Sequence, residues 1–437
     1  MPPSPRSEPE ERWLPILDGD LAALARRTIE AVSTDPSACY ASGDFTLARG
    51  PAGLALLHHS LAPSSGAARA SQLLTAAMDA VENGNPDAGL YDGVAGVAYA
   101  MHEVWGSAHA AGQTEEVDTL LLDLLTGPRP CRGNFDLIGG ICGIGVYGLK
   151  SLTSEIGQRL VHGAVAALDA TAEQSDAGVT WRTPPHRIFR ERERYPQGRY
   201  DLGVAHGAAG VVAFLSAACA AGLGGQQARR LLQGSVRWLL HEQLDGDAES
   251  SFPMVRGPDA AQPGEPARSA WCYGDPSAAV ALLAAARVLA DADVERTALQ
   301  IARRSAARPP ERTGVVDAGL CHGSAGLAHI YNRLFQATGE EPFADAARRW
   351  VAITLSMRTH PSAGAVLFPA WSPGLPGPGG TPSKGSWGSS CGFIEGSAGV
   401  ALALLAALEP VRPTWDHALL LDIPAAAPLQ ARACRDS

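Results

Sequence analysis

The chain has 437 residues, 46% of them hydrophobic, which is enough for a large buried core and argues against disorder throughout. A net charge of −10 and an isoelectric point near 5.6 leave no basic footprint for nucleic acid. No apolar run reaches membrane-spanning length and residues 1–12 carry no export pattern, so a cytoplasmic protein that is not integral to a membrane is expected. Eight scattered cysteines then read as reduced thiols or metal ligands rather than a disulfide framework.

Residues 1–12 are expected to form a disordered tail and residues 14–34 a first amphipathic helix. A unit then recurs: a loop, a Gly-x-x-Gly or close variant, and a short helix rich in Ala, Val and Leu. Its first glycines are Gly50, Gly93, Gly140, Gly207, Gly274, Gly323 and Gly396. Seven copies at an irregular period point to one array of stacked units with loop insertions. The Gly-led helices are apolar nearly all round, as in 210–220 and 399–407, and a helix without a polar face is buried on all sides. Between them lie helices with a polar face, at 157–172, 226–244, 294–307 and 342–357. Seven buried helices alternating with seven amphipathic ones predict an all-α chain folded as an α/α toroid, an inner ring enclosed by an outer ring. That domain spans 13–421, with insertions near 183–199 and 368–392 and a tail at 422–437. The insertions precede inner-helix starts, which predicts that they rim one mouth.

In such a ring all inner-helix N-termini face one end. Just before each Gly-x-x-Gly stand Asp92, Gly139, His206, Tyr273, His322 and Glu395, with Cys272 and Cys321 one step earlier. Two thiolates and an imidazole suit Zn²⁺, and three protein ligands leave a fourth position open, the pattern of a catalytic site. Cys39, Cys131, Cys142, Cys219 and Cys434 read as small buried hydrophobes. Cys391 reads as a plain thiol rather than an extra ligand. His58, His59, His102 and His329 lie within predicted helices and read as packing or surface residues. His206 is open to three readings: fourth ligand, acid/base, or helix cap. Asp136 reads equally as a turn-forming carboxylate and Arg268 as a surface arginine. Paired carboxylates for glycoside hydrolysis are available at Asp92, Asp136, Asp275 and Glu395, but that chemistry has no use for Cys-Cys-His.

The stretches Asp136-Leu-Ile-Gly-Gly140, Leu202-Gly-Val-Ala-His206-Gly-Ala-Ala-Gly210, Arg268-Ser-Ala-Trp-Cys272-Tyr-Gly274, Gly319-Leu-Cys321-His322-Gly-Ser-Ala-Gly326 and Ile394-Glu-Gly-Ser-Ala-Gly399 carry a resemblance. In type and order they resemble the lanthipeptide cyclases, the LanC-like proteins, across nearly the whole chain. Trp-Cys-Tyr-Gly followed about fifty residues later by Cys-His-Gly-x-x-Gly is the specific part. The resemblance implies a double ring of seven inner and seven outer helices. It implies one Zn²⁺ per chain on Cys272, Cys321 and His322, with His206 as acid/base and Asp136 and Arg268 as its polar surround. The implied reaction adds peptide Cys thiolates to dehydroalanine or dehydrobutyrine, forming thioether rings. The implied partners are a dehydrated precursor peptide, a separate dehydratase, and an exporter in a synthetase complex at the inner face of the membrane. Two rival activities remain: addition of glutathione or another thiol to dehydrated residues, and a non-catalytic peptide scaffold. Ser277 departs from the pattern by standing where a second glycine is usual.

Overall fold

The computed structural model describes residues 13–34, 40–61, 65–188, 192–246, 248–258, 264–359, 368–372, 385–388 and 390–425. The expected tail at 1–12, most of that at 422–437, and Cys39 and Cys434 lie outside these. Along the chain run α1 (Gly19–Ser33), α2 (Pro51–Leu61), α3 (Ser65–Glu82), α4 (Val94–Trp105), the single turn α5 (Ser107–Ala110), α6 (Glu115–Thr126), α7 (Ile141–Lys150) and α8 (Glu155–Thr171). They continue as α9 (Ala208–Ala220), α10 (Gly225–His241), α11 (Asp275–Leu289), α12 (Ala292–Ala307), α13 (Ser324–Thr338), α14 (Glu341–Ser356) and α15 (Ser397–Leu408).

Among the described residues α2, α4, α7, α9, α11, α13 and α15 form the inner ring. Each touches the next, and α15 returns to α2, so the ring closes. Outer helices α3, α8, α10, α12 and α14 each pack on the inner helix before them, while α1 covers α15 from the other end of the sequence. The fold is the expected α/α toroid. Sequence decides the layers: α9 and α15 are buried nearly all round, whereas α10 buries one stripe, including Leu231, Leu232, Val236 and Leu239.

The second glycine of each Gly-x-x-Gly has a steric cause. A Cβ on Gly210 would stand 2.1 Å from the Val204 carbonyl oxygen, and one on Gly399 only 1.9 Å from that of Phe393. The same clash with the carbonyl six residues earlier recurs at Gly53, Gly96, Gly143 and Gly326. The loop therefore lies directly on the first turn of its own helix, which only glycine permits. Ser277 is the exception, and its hydroxyl donates to the Ala270 and Gly274 carbonyls, each at 3.3 Å.

Three expectations are corrected. The first helix begins at Gly19, not at residue 14. Residues 13–18 instead lie along the end of α15, with Trp13 Nε1 donating to the Ala406 carbonyl (2.7 Å) and the Ile16 amide to Ala407 (2.9 Å). These donors are spent on α15 rather than on a helix of their own. Second, short two-stranded ribbons decorate the toroid: β1 (Glu173–Ser175) with β2 (Gly178–Thr180), β3 (Tyr200–Asp201) with β4 (Val255–Arg256), and β5 (Ala370–Ser372) with β6 (Ser386–Gly388). Strands of two or three residues are too short to leave an alternating pattern. Third, the packed chain runs past residue 421: Ile423 is buried and Asp422 pairs with Arg333 at 3.1 Å.

Candidate metal and acid–base site

The loops that precede the inner helices are joined by a closed circle of backbone hydrogen bonds. The Ala48 amide donates to Tyr91 O, Tyr91 to Ile138 O, Leu137 to Ala205 O, and Ala205 to Cys272 O. Cys272 then donates to Cys321 O, Cys321 to Ile394 O, and Ile394 back to Ala48 O, with all seven distances between 2.8 and 3.2 Å. Each loop thus presents its next residue at the same level of the mouth. This circle is why residues as far apart in the chain as Asp92 and Glu395 meet in one site.

Cys272, Cys321 and His322 meet as the sequence predicts, their ligand atoms all within 4.8 Å of one another. Two sulfurs and one imidazole nitrogen are a donor set that fits Zn²⁺, and among the described residues they form one group of this kind. Cys321 donates to Cys272, which draws the Cys272 thiol well below its ordinary range and pushes that of Cys321 up; His322 and Arg268 add to the stabilisation of the Cys272 thiolate. Arg268 Nη2 lies 3.6 Å from Cys272 Sγ, and its Nε is buried without a hydrogen-bond partner among the described residues. Arg268 is therefore part of the site and not a surface arginine.

His322 Nε2 faces the Trp371 carbonyl at 3.3 Å and the Asp317 carboxylate at 3.5 Å, which leaves Nδ1 as the nitrogen available to a metal. Burial works against its charged form, but Asp317 and Cys272 raise its pKa to about 10. Asp317 is itself nearly inaccessible. Burial raises its pKa, yet His322 and the Trp371 and Gly319 amides outweigh that and hold it below the usual carboxylate range. Sequence reasoning missed Asp317. The available signal was its place four residues before Cys321, but the partner that matters, Trp371, is 54 residues away.

His206 stands two rungs from His322 in the circle, with the Cys272 rung between them, and it is not among the grouped ligands. Its Nδ1 is 2.7 Å from Asp136 Oδ2, while Asp136 Oδ1 accepts the Gly139 amide at 2.9 Å. Burial lowers the His206 pKa, but the hydrogen bond and charge of Asp136 outweigh it, and the net shift is upward. Tyr273 lies beside His206, ring centroids 6.3 Å apart, and its hydroxyl donates to Asp201 at 2.9 Å. Tyr273 stands at the mouth where its repeat position places it, whereas Asp201 was not singled out from sequence. Asp92 also lines the mouth; burial and the neighbouring Asp136 raise its pKa to about 6.

These groups share one cavity of about 620 Å³, which also takes in Arg49, Thr183, Arg187, Arg199 and Glu395. Its wall thus includes the insertion near 183–199. The insertion near 368–392 reaches the site through Trp371, although much of it lies outside the described residues. A cavity of about 680 Å³ between α1, α2, α3 and α15 contains none of this chemistry. Two assignments change. Asp275 is not at the mouth: it is buried, accepting the Ser251 and Phe252 amides at 2.7 and 3.2 Å. Cys391 is disulfide-bonded, not the plain thiol its sequence context suggests.

Comparison with known proteins agrees with this geometry. In solved structures the chain is similar to nisin cyclase (TM-score 0.70, 18% identity, covering 92% of this chain and 96% of that one), which bears out the α/α toroid. Looser likenesses are to cellobiose 2-epimerase from Bacillus thermoamylovorans B4167 (TM-score 0.46, 10% identity, 89% and 99% covered) and to a sugar epimerase from a ruminal bacterium (0.45, 11%, 88% and 98%). No curated protein sequence matches. Among the described residues no helix is long and apolar enough to cross a membrane. The family described as lanthionine synthetase C-like protein matches residues 41–420, and the chain belongs to that family.

Proposed function

We propose that this protein is a zinc-dependent lanthipeptide cyclase, adding peptide Cys thiolates to dehydroalanine or dehydrobutyrine within the same peptide to close thioether rings. The observation that carries the reading is a three-donor Cys-Cys-His group and a separate His-Asp pair opening on one cavity. Similarity to nisin cyclase adds to it. Cys272, Cys321 and His322 would hold one Zn²⁺, which when bound brings the pKa of an incoming peptide thiol down from about 8.5 so that it reacts as a thiolate at neutral pH.

The rest of the chemistry falls to this chain's own side chains. Asp317 and the Trp371 carbonyl fix the ring of His322, and Arg268 offsets the negative charge gathered at Cys272. A sulfur lone pair forms the new C–S bond at the β-carbon, and the π pair of the dehydro residue moves onto its α-carbon and carbonyl. That carbanion needs a proton. Asp136 accepts the Nδ1 hydrogen of His206, so Nε2 is the atom that delivers the proton at the α-carbon. The proton released by the thiol balances it through solvent. The dehydrated peptide would come from a separate dehydratase, with an exporter as a further partner of the complex.

The test combines metal analysis with a cyclisation assay. Ring closure leaves peptide mass unchanged but removes a free thiol, so alkylation followed by mass spectrometry reads it. The wild-type protein should contain one zinc and protect the thiol of a dehydrated Cys-containing peptide. Protein that holds zinc but adds only free glutathione to that peptide would overturn cyclisation in favour of intermolecular thiol addition.

A further inference from the structure

We propose that the C-terminal segment Trp415–Leu419 is an internal brace that sets the position of the metal-site loops, with Trp271 as the positioning residue that carries its effect to Cys272. Only the zinc readout below rests on the metal reading given above.

The circle of backbone bonds ties the loops around their circumference, and the C-terminal segment ties two of those loops to each other. Two consecutive carbonyls of it are taken up from the circle: Ala418 O accepts Tyr91 Oη at 2.7 Å, and Leu419 O accepts Trp271 Nε1 at 2.9 Å. Tyr91 and Trp271 belong to loops three rungs apart one way round and four the other, so they reach inward from nearly opposite sides. Their rings meet with centroids 5.7 Å apart, and both side chains are almost fully buried. Tyr91 directly precedes Asp92 and Trp271 directly precedes Cys272, so each bond acts one residue from the cavity.

The brace is anchored on a third part of the site. Asp416, fully buried, accepts Arg333 Nε and Nη2, each at 2.6 Å, and faces His329 Nε2 at 2.7 Å. Both partners lie on α13, the helix that starts two residues after His322. Arg333 Nη2 also donates to Pro413 O at 3.0 Å, and the Trp415 ring lies against His329 with centroids 4.6 Å apart. Below the segment, Leu420 turns the chain with a φ of 54°, and Arg287 of α11 donates to Pro424 O at 2.7 Å. One short segment thereby links α13, which follows Cys321 and His322, to the residue before Cys272. A rigid link between the two sides of the ligand group fixes their spacing; shape-filling alone needs no such pairing of polar atoms with the residues flanking the site.

Trp271→Phe removes the indole donor while keeping an aromatic ring. Tyr99→Phe is the control, because Tyr99 Oη also meets this segment, at Thr414 O (3.4 Å), but from within α4 and beside no site residue. In metal-free protein, hydrogen exchange of the Cys272 and Cys321 amides should be at least tenfold faster in Trp271→Phe and unchanged in Tyr99→Phe. Zinc transfer to a chelator should likewise be about tenfold faster in Trp271→Phe alone. In the wild type, the amides of Leu420 and Cys272 should exchange with protection equal to within about threefold, a comparison that needs no variant to fold. The proposal fails if the rung amides keep wild-type rates in Trp271→Phe, if both variants speed them equally, or if Leu420 and Cys272 differ by a hundredfold. Wild-type protein that holds no zinc, yet whose rung amides respond to Trp271→Phe, would retain the brace and discard the metal reading.

Discussion

Two histidine–carboxylate pairs in this molecule share a separation of 2.7 Å and behave oppositely. His206 meets Asp136 at the mouth with its side chain 46% exposed, whereas His329 and Asp416 are wholly inaccessible. At the mouth the carboxylate outweighs burial, so the His206 pKa rises. In the interior burial dominates, aided by the Arg333 charge, and the His329 pKa falls. Asp416 is ionised there because Arg333 and His329 overcome the cost of burying it, holding it well below the carboxylate range. Separation alone therefore does not say what a His–Asp pair does. Water access and the presence of a second cation decide between proton transfer and structural support.

The comparison can be broken most sharply at the metal. Cys321→Ala should abolish zinc binding and reduce cyclisation to background, while circular dichroism remains that of the folded toroid, because the apolar core does not depend on the site. Next in size, Asp416→Ala should cost up to about 3–5 kcal/mol in denaturant unfolding, since it takes from the buried Arg333 its fully buried carboxylate and leaves it the more exposed Asp422. Asp136→Ala leaves behind a histidine that water can reach, and its stability loss should stay near 1 kcal/mol, on the order of a partly exposed charged hydrogen bond.

The pH dependence separates the two pairs by sign. His206 has a raised folded pKa, so the stability it gains from Asp136 is fully present below about 6.5 and is lost as pH rises through the folded value. His329 has a lowered folded pKa, so its contribution is complete above about 6.5 and is lost as pH falls. Thermal melts of Asp136→Asn and His329→Gln against wild type, from pH 5 to 8, should show differences that shrink with pH for the first and grow for the second. In catalysis, Asp136→Asn should move the alkaline limb of the cyclisation rate to lower pH. The smallest effect belongs to Asp92, whose raised carboxyl resists ionisation. Asp92→Asn should raise the melting temperature slightly at pH 8, by less at pH 5, and not at all near pH 3, because the penalty persists until the unfolded-state carboxyl is protonated as well.

Much of this was legible in the chain itself. Seven Gly-led starts mark the inner helices, and in six of them a carbonyl six residues earlier forbids a side chain at the second glycine. Repeat position alone groups Cys272 with Cys321-His322, since each loop of the circle presents the same register. What escaped notice depends on partners far apart in sequence. Asp317 acquires its role only when Trp371 and His322 close over it, and His329 only when Asp416 arrives from 87 residues away. The C-terminal brace has no repeat signature, because it joins two of the loops and α13 and belongs to none of the repeats. The extended arm at 13–18 carries a helical-looking pattern, and the partners that draw it out lie 393 residues away at the end of α15.

The central claim is that metal holding and proton transfer are divided between two groups of residues on one cavity. His206→Ala tests it directly: zinc content and cyclisation are measured on the same purified sample. The account predicts one zinc per chain, as in the wild type, with cyclisation slowed by roughly 10²-fold or more, the usual size of a general acid–base contribution. Loss of zinc in that variant would make His206 a metal ligand, and wild-type cyclisation with zinc retained would remove it from the chemistry; either result contradicts the division.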